Sequence, residues 1–282
     1  MVDKKAYLPD ARTQLYGIVG NPVEHSLSPV MHNAAMRELG VNAVYLAFCP
    51  SSARGAAEAI REFDVQGVSV TIPFKERLIP YLDQPDQYVE AIGAVNTIKN
   101  VEGVLHGTNT DWLGAVEALD EKIEIQDSRA VVLGAGGSAR AVVFGLLKKG
   151  ASVHIANRTL ERAERLAKEF GCTFSGLDER SIPTGDILIN TTSVGMGKMA
   201  GISPVHRDSL SGFRVVMDIV YSPIETRLLR DAKEQGCQTI TGLRMLLFQA
   251  AAQFRYWFQM EPPIETMEKA LYQVFESRDL EE

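Results

Sequence analysis

The segment RAVVLGAGGSARAVVFGLLKKG, Arg129 to Gly150, constrains this chain more than any other. Arg129 to Leu133 form a short apolar, β-branched run that breaks into a glycine turn, and the chain continues at once as a long apolar stretch that Gly150 closes like a helix C-cap. The next six residues, SVHIAN, alternate like a strand. In TLERAERLAKEFG, Leu160, Ala163, Leu166, Ala167 and Phe170 share one helical face before Gly171 stops it. The pattern predicts further strands at Asp186 to Asn190 and Val215 to Val220, a helix over Thr226 to Gln235 and a short strand at Gln238 to Thr241. Strands that alternate with helices in this way pair in parallel, in a sheet covered on both faces.

The first hundred residues alternate too. Strands are predicted at Leu15 to Val19, Ala43 to Phe48 and Gly67 to Ile72, with helices over Ala53 to Phe63 and from Pro73 onward. In SLSPVMHNAAMRELG, Ser28 stands where an N-cap belongs, Pro29 at the first helical position and Gly40 at the end. The C-terminal stretch LRMLLFQAAAQFRYWF reads as an apolar helix suited to pack on this first unit rather than to extend the central sheet. A length of 282 residues is long for one domain and right for two. We therefore expect a two-domain α/β chain, with residues 1–115 and 240–282 in one domain and residues 116–239 inserted as the other.

A hydrophobic share of 45% with 23% charged residues argues against wholesale disorder and fibrous repeats. No apolar run reaches the ~18 residues of a membrane span, and the opening MVDKKAYLPDARTQ lacks a signal-peptide core, so a cytoplasmic protein without membrane partners is expected. A net charge of −7 with dispersed basic residues argues against nucleic-acid binding but leaves room for a small anion pocket. Cys49, Cys172 and Cys237 lie too far apart for zinc spacing or a disulfide framework and are expected to be buried thiols. His25 and His32 lack a second ligand cluster, so they are expected to serve turn or helix packing, and no metal is predicted.

Gly134, Gly136 and Gly137, with Ala135, Ser138 and Ala139 among them, make G-x-G-x-x-A between a strand and a helix. This placement lets backbone amides approach a pyrophosphate at the positive end of the helix. Sites that hold an unphosphorylated ribose usually carry Asp or Glu about 20 residues further on. Here Asn157, Arg158, Thr159 and Arg162 stand in that region. With guanidinium donors and no carboxylate at the end of that strand, a 2′-phosphate is favoured, hence NADP over NAD. Arginines near a helix start are disfavoured by the macrodipole, which makes a bound anion their natural reason.

The first domain contributes GNPVEHSLSPVMHN, GVSVTIPFKE, GAVNTI and GTNTDWLGA. These hold Ser26, Ser28, Thr71, Lys75, Asn96 and Asp111 near strand ends or helix starts, the places that face a cleft in α/β folds. Each has a bland reading alone: Asp111 as the cap of a helix from Trp112, Asn96 as a turn residue, Lys75 as a surface lysine. Together with GAGGSAR, NRTLERA, NTTSVGM, DIVYSPIET and GLRMLLFQAA, the strings resemble the shikimate dehydrogenase family in order and spacing along nearly the whole chain. The resemblance implies a Rossmann domain inserted in a substrate domain, and NADP-dependent interconversion of 3-dehydroshikimate and shikimate on the route to aromatic amino acids. It further implies Ser26 and Ser28 as ligands of the substrate carboxylate, Thr71, Asn96 and Gln249 as holders of its ring and hydroxyls, and Tyr221 beside the substrate. Ile219 and Gly242 are implied as cofactor contacts, with Lys75 and Asp111 as the catalytic pair.

That pair makes chemical sense, because reducing a ketone requires a positioned proton donor and oxidising the alcohol requires its base. A lysine beside a carboxylate is held as the ammonium, which suits the reductive direction, whereas burial or the cofactor's positive ring would lower its value and suit oxidation; the sequence does not rank the two. Trp112 and Gln259 stand where the family often has glycine; neither replaces a motif side chain. The rival readings are a quinate/shikimate dehydrogenase that accepts NAD and a non-catalytic NADP-responsive regulator; the sequence gives no oligomeric state, and a homodimer is carried as the working expectation.

Overall fold

The computed structural model of the chain describes residues 9 to 278. They divide into two compact units, one formed by residues up to Thr110 and from Ala250 on, the other by Asp111–Gln249. Set against the expected boundaries near 115 and 240, residues 111 to 115 and 240 to 249 group with the second unit.

The first unit runs β1 (Gln14–Val19), α1 (Ser28–Glu38), β2 (Ala43–Phe48), α2 (Ala53–Glu62), β3 (Gly67–Val70), β4 (Gln84–Pro85), α3 (Gln87–Ile92), β5 (Thr97–Val101) and β6 (Val104–Thr108). Its sheet has the order β2-β1-β3-β5-β6-β4. The β1 pairings are parallel, whereas β3 with β5 and β5 with β6 are antiparallel, so this sheet is mixed. The antiparallel hairpin turns at Glu102 and Gly103, both with positive φ, the backbone a tight two-residue turn requires. One core lies under α2, where Ala56, Ala57 and Ile60 pack with Val68, Val70, Ile98 and Leu105.

Three local expectations need correction. Ser28 is the first residue of α1 and Leu27 its N-cap, so the Ser28 hydroxyl is not the cap. No helix starts at Pro73; residues 72 to 78 form turns, and only Ile79–Tyr81 is helical, as a 3₁₀ turn. Phe74 and Leu78 enter the core one helical turn apart, but the Lys75 carbonyl is taken by the Val95 N–H at 2.8 Å, which holds the segment against the start of β5. Cys49 is exposed and Cys172 half-buried; only Cys237 is a buried thiol.

The second unit runs α4 (Asp111–Asp120), β7 (Arg129–Leu133), α5 (Gly137–Lys148), β8 (Ser152–Asn157), α6 (Leu160–Phe170), β9 (Thr173–Gly176), β10 (Ile187–Asn190), β11 (Val215–Asp218), α7 (Arg227–Glu234) and β12 (Gln238–Ile240), and then enters α8 (Gly242–Phe258). Its sheet, β12-β11-β10-β7-β8-β9, is parallel throughout, as the sequence pattern requires. Asp111 opens α4 rather than preceding it. Trp112 lies edge-on against Phe144 of α5, with the Lys148 ammonium over its ring, so this departure is absorbed by packing within the unit.

The last turns of α8 and α9 (Ile264–Arg278) belong to the first unit. There Trp257 donates from its indole to the Ile98 carbonyl at 3.0 Å and lies against Tyr16, with ring centroids 5.6 Å apart. Gln259 follows the end of α8 at φ +53, the left-handed conformation in which a helix end favours glycine. Its side chain is exposed and bonds only carbonyls of its own helix, at Arg255 and Tyr256. Gln259→Gly is therefore expected to stabilise the protein by about 1 kcal/mol through relief of the left-handed strain; a urea midpoint unchanged or lowered would contradict this.

Candidate functional site

In the first unit the candidate substrate residues sit at the carboxyl ends of β1 and β3, in the turn that follows β3, at the start of α1 and in the lead into β5. Ser26 is half-buried, and its Oγ accepts the Ser28 N–H at 3.2 Å, so one hydroxyl shapes the loop that presents the other. Thr71 is half-buried just past β3 and tied to β1 by a 2.9 Å bond from its N–H to the Val19 carbonyl. A Cβ on Gly20 would come within 2.4 Å of the Thr71 methyl, so this approach needs glycine. Lys75 is half-buried in the turns described above.

Asn96 is 2% exposed, and its amide does structural work. Its Oδ1 accepts the Thr110 N–H at 2.7 Å and the Thr97 hydroxyl at 2.8 Å, while its Nδ2 donates to Thr110 Oγ1 at 3.0 Å. Val95 anchors the Lys75 backbone, and the neighbouring Asn96 anchors the residue that precedes Asp111. The lead into β5 thus fixes the backbone at or beside both members of the expected catalytic pair.

In the second unit Gly134 has φ +114, and a Cβ there would lie 2.6 Å from Thr191 Oγ1. Gly136 is the N-cap of α5, and a Cβ there would meet nothing within 4 Å. The N-cap offers no side chain to bond the first amides, and the first turn of α5 holds no acidic residue. The positive helix end at Gly137 and Ser138 therefore fits an anionic pyrophosphate. At the end of β8, Asn157 donates to the Thr159 carbonyl at 2.8 Å, which shapes the turn that leaves Arg158 exposed; Thr159 and Arg162 are exposed at the start of α6. No carboxylate ends β8, and a cationic rim of this kind suits a phosphorylated ribose.

Further along, Gly242 opens α8 where a Cβ would lie 2.5 Å from the Ile219 carbonyl, so these two expected cofactor contacts share one close backbone approach. Gly114 plays the same part for α4 and α8: a Cβ there would come within 2.8 Å of Gln249 Cβ. The helix headed by Asp111, which is 5% exposed, thereby packs tightly on the one that carries the buried Gln249. Tyr221 is half-buried, and burial raises its phenol above the ordinary value.

Asn190, Asp218 and Thr226, in the NTTSVGM and DIVYSPIET segments, are not among the residues expected from the motifs. All three are completely buried. Asp218 accepts three bonds: Thr226 Oγ1 at 2.7 Å, Asn190 Nδ2 at 2.9 Å and the Val220 N–H at 3.0 Å. Asn190 also gives Nδ2 to the Val194 carbonyl and takes the Thr192 hydroxyl at 2.7 Å. One polar knot thus holds both loops that leave β10 and β11. The available signal was a polar residue ending each apolar strand, ILIN and VVMD. Burial pushes the Asp218 carboxyl up to about 6, against the three donors that pull it down.

A parallel sheet whose first strand turns through an uncapped glycine helix end places the second unit in the Rossmann class of dinucleotide-binding folds. Residues 18–98 match the substrate-binding domain of shikimate dehydrogenase, residues 117–200 the shikimate/quinate 5-dehydrogenase domain and residues 242–272 the shikimate 5′-dehydrogenase C-terminal domain. The shikimate dehydrogenase (NADP(+)) of Methanocaldococcus jannaschii is 44% identical over 276 residues, covering 93% of this chain and 97% of its own. A crystal structure of a shikimate dehydrogenase in complex with NADP+ superposes with a TM-score of 0.88 at 43% identity, over 94% of this chain and 97% of that one. The Thermus thermophilus enzyme in complex with NADP(H) and shikimate gives 0.85 at 39% identity, over 92% and 99%. The chain belongs to the shikimate dehydrogenase family.

Because the carboxyl of Asp218 titrates higher in the folded protein than the ordinary 3.8, its protonation favours the fold. That contribution is complete below about pH 4 and is lost as pH rises through about 6. Replacing it by Asp218→Asn should flatten the pH dependence of stability in this window by roughly 1–3 kcal/mol. Parallel stability curves for the two proteins from urea unfolding would refute the assignment.

Proposed function

We propose that this protein is an NADP-dependent shikimate dehydrogenase that reversibly reduces 3-dehydroshikimate to shikimate, supplying the route to chorismate and the aromatic amino acids. The observation that carries the reading is the near full-length match to NADP-dependent shikimate dehydrogenases. The amides of Gly134, Ala135, Gly136, Gly137 and Ser138 receive the cofactor diphosphate. Asn157, Arg158, Thr159 and Arg162 receive its 2′-phosphate, and Ile219 and Gly242 line the nicotinamide end. When bound, the reduced cofactor supplies the hydride.

The chain supplies the rest. Ser26 and Ser28 hold the substrate carboxylate by hydroxyl donors, Thr71, Asn96 and Gln249 hold the ring hydroxyls, and Tyr221 lies alongside. Lys75 gives a proton to the carbonyl oxygen as that carbon accepts the hydride, and takes it back when the alcohol is oxidised. Asp111 is its partner and aims the lysine. The oxygen gains one proton and its carbon one hydride, so the ketone becomes the alcohol with charge balanced. The reading includes a cytoplasmic homodimer; a mass in solution of one chain would remove the dimer.

Cofactor absorbance tests the whole. Shikimate with NADP+ should reduce the cofactor rapidly, and faster than either quinate or NAD+ in place of its counterpart. A better rate with quinate and NAD+ overturns the assignment. Lys75→Ala is expected to lower kcat by about 10² or more with a smaller change in KM; an unchanged kcat takes Lys75 out of the chemistry.

A further inference from the structure

A buried polar chain in the first unit runs through a residue that the reaction above does not use. Gln253, on α8, is completely buried. Its Oε1 accepts the Ser69 hydroxyl at 2.8 Å and lies 3.3 Å from His32 Nε2. Its Nε2 donates to the Asn96 carbonyl and to Thr97 Oγ1, each at 3.1 Å. A glutamine amide has two donor hydrogens and two acceptor lone pairs, and all four are engaged. The amide has one workable orientation, because reversing it would set its oxygen against the Asn96 carbonyl.

The chain continues at both ends. The Ser69 hydroxyl also accepts the Tyr45 hydroxyl at 2.6 Å, and His32, which meets Gln253, lies one helical turn along α1 from Ser28. On the other side Thr97 donates to Asn96 Oδ1, which receives the Thr110 N–H. His32 stacks on Tyr45 with centroids 4.5 Å apart, and its Nδ1 has no hydrogen-bond partner. Burial drives its titration down to about 3, so it stays neutral and its Nε2 hydrogen serves Gln253.

We propose that Gln253 is a positioning residue that sets the spacing of Ser28 and Asn96, and through it the fit of the substrate. This rests on the reading that Ser28 binds the carboxylate and Asn96 a ring hydroxyl. A six-membered ring fixes the distance from its carboxylate to its hydroxyls, so the two protein groups must be held at a matching distance. Ser28 is on α1 and Asn96 in the lead to β5, elements that do not adjoin in sequence, and Gln253 ties the hydrogen-bond paths from both. Cutting a satisfied buried network leaves donors and acceptors unpaired and frees both ends to shift.

Gln253→Met keeps the volume and removes all four bonds. It is expected to raise the KM for shikimate about tenfold, the loss of roughly one buried hydrogen bond's worth of binding, while the KM for NADP+ stays within about twofold. The preference for shikimate over its methyl ester should shrink, because the ester already lacks the full Ser28 interaction. Tyr45→Phe, which removes one hydroxyl from the same chain, should move the shikimate KM in the same direction and guards against a failure of the first variant to fold. If a folded variant keeps the wild-type KM and ester preference, or loses activity only through kcat, this role for Gln253 is overturned while the function stands. A wild-type protein inactive on shikimate overturns both.

Discussion

A buried side-chain amide must fill its donors and its acceptor at once, and that constraint organises this protein more than any apolar contact does. Three of the buried amides show how. Asn96 uses its oxygen on Thr97 and Thr110, Asn190 joins the loops beyond β10 and β11, and Gln253 gathers α1, β3 and β5. Asn96 and Asn190 sit where a strand, or the lead into one, meets a loop, and Gln253 reaches such places from α8, so the loops are set from inside. The apolar core holds the sheets, and these polar knots decide where their ends point.

The two units solve the same problem differently. In the second, the glycine turn after β7 clears side chains from a helix end, and the resulting backbone surface suits an anion whatever the rest of the ligand is. In the first, side chains make up the candidate site. Hydroxyls and an amide are instead fixed one by one, Ser26 bonding the Ser28 backbone and Asn96 the Thr110 backbone. A site built from fixed side chains discriminates a rigid ring with defined hydroxyls better than a backbone cradle could, because a missing partner leaves a buried group unpaired.

The parallel sheet, its helices and the glycine turn were legible in the sequence because strand and helix periods alternate there without interruption. The mixed sheet of the first unit was not. Its hairpin turns on Glu102 and Gly103, and glutamate is not a residue that announces a left-handed turn, unlike asparagine or aspartate. The stretch after Pro73 carries a helix-start signal that a tie from Val95 to Lys75 overrides. Exposure of Cys49 depends on its place past the end of an edge strand, which spacing along the chain does not reveal. Of the candidate site, the residue types were readable from the motifs. Their supports were not, since Gln253 sits in an alanine-rich run and finds partners 221 and 184 residues away at His32 and Ser69.

Those separations bear on how the protein is made. A ribosome releases the chain from its N-terminus, so His32, Tyr45, Ser69 and Trp257's neighbour Ile98 emerge long before the helix that completes them. Until α8 is synthesised, the first sheet lacks the partners that this helix brings to it. The inserted unit, whose sheet draws on one continuous stretch of chain, can assemble in that interval. Translation therefore completes the inserted unit's sheet before it supplies the helix that covers the earlier one.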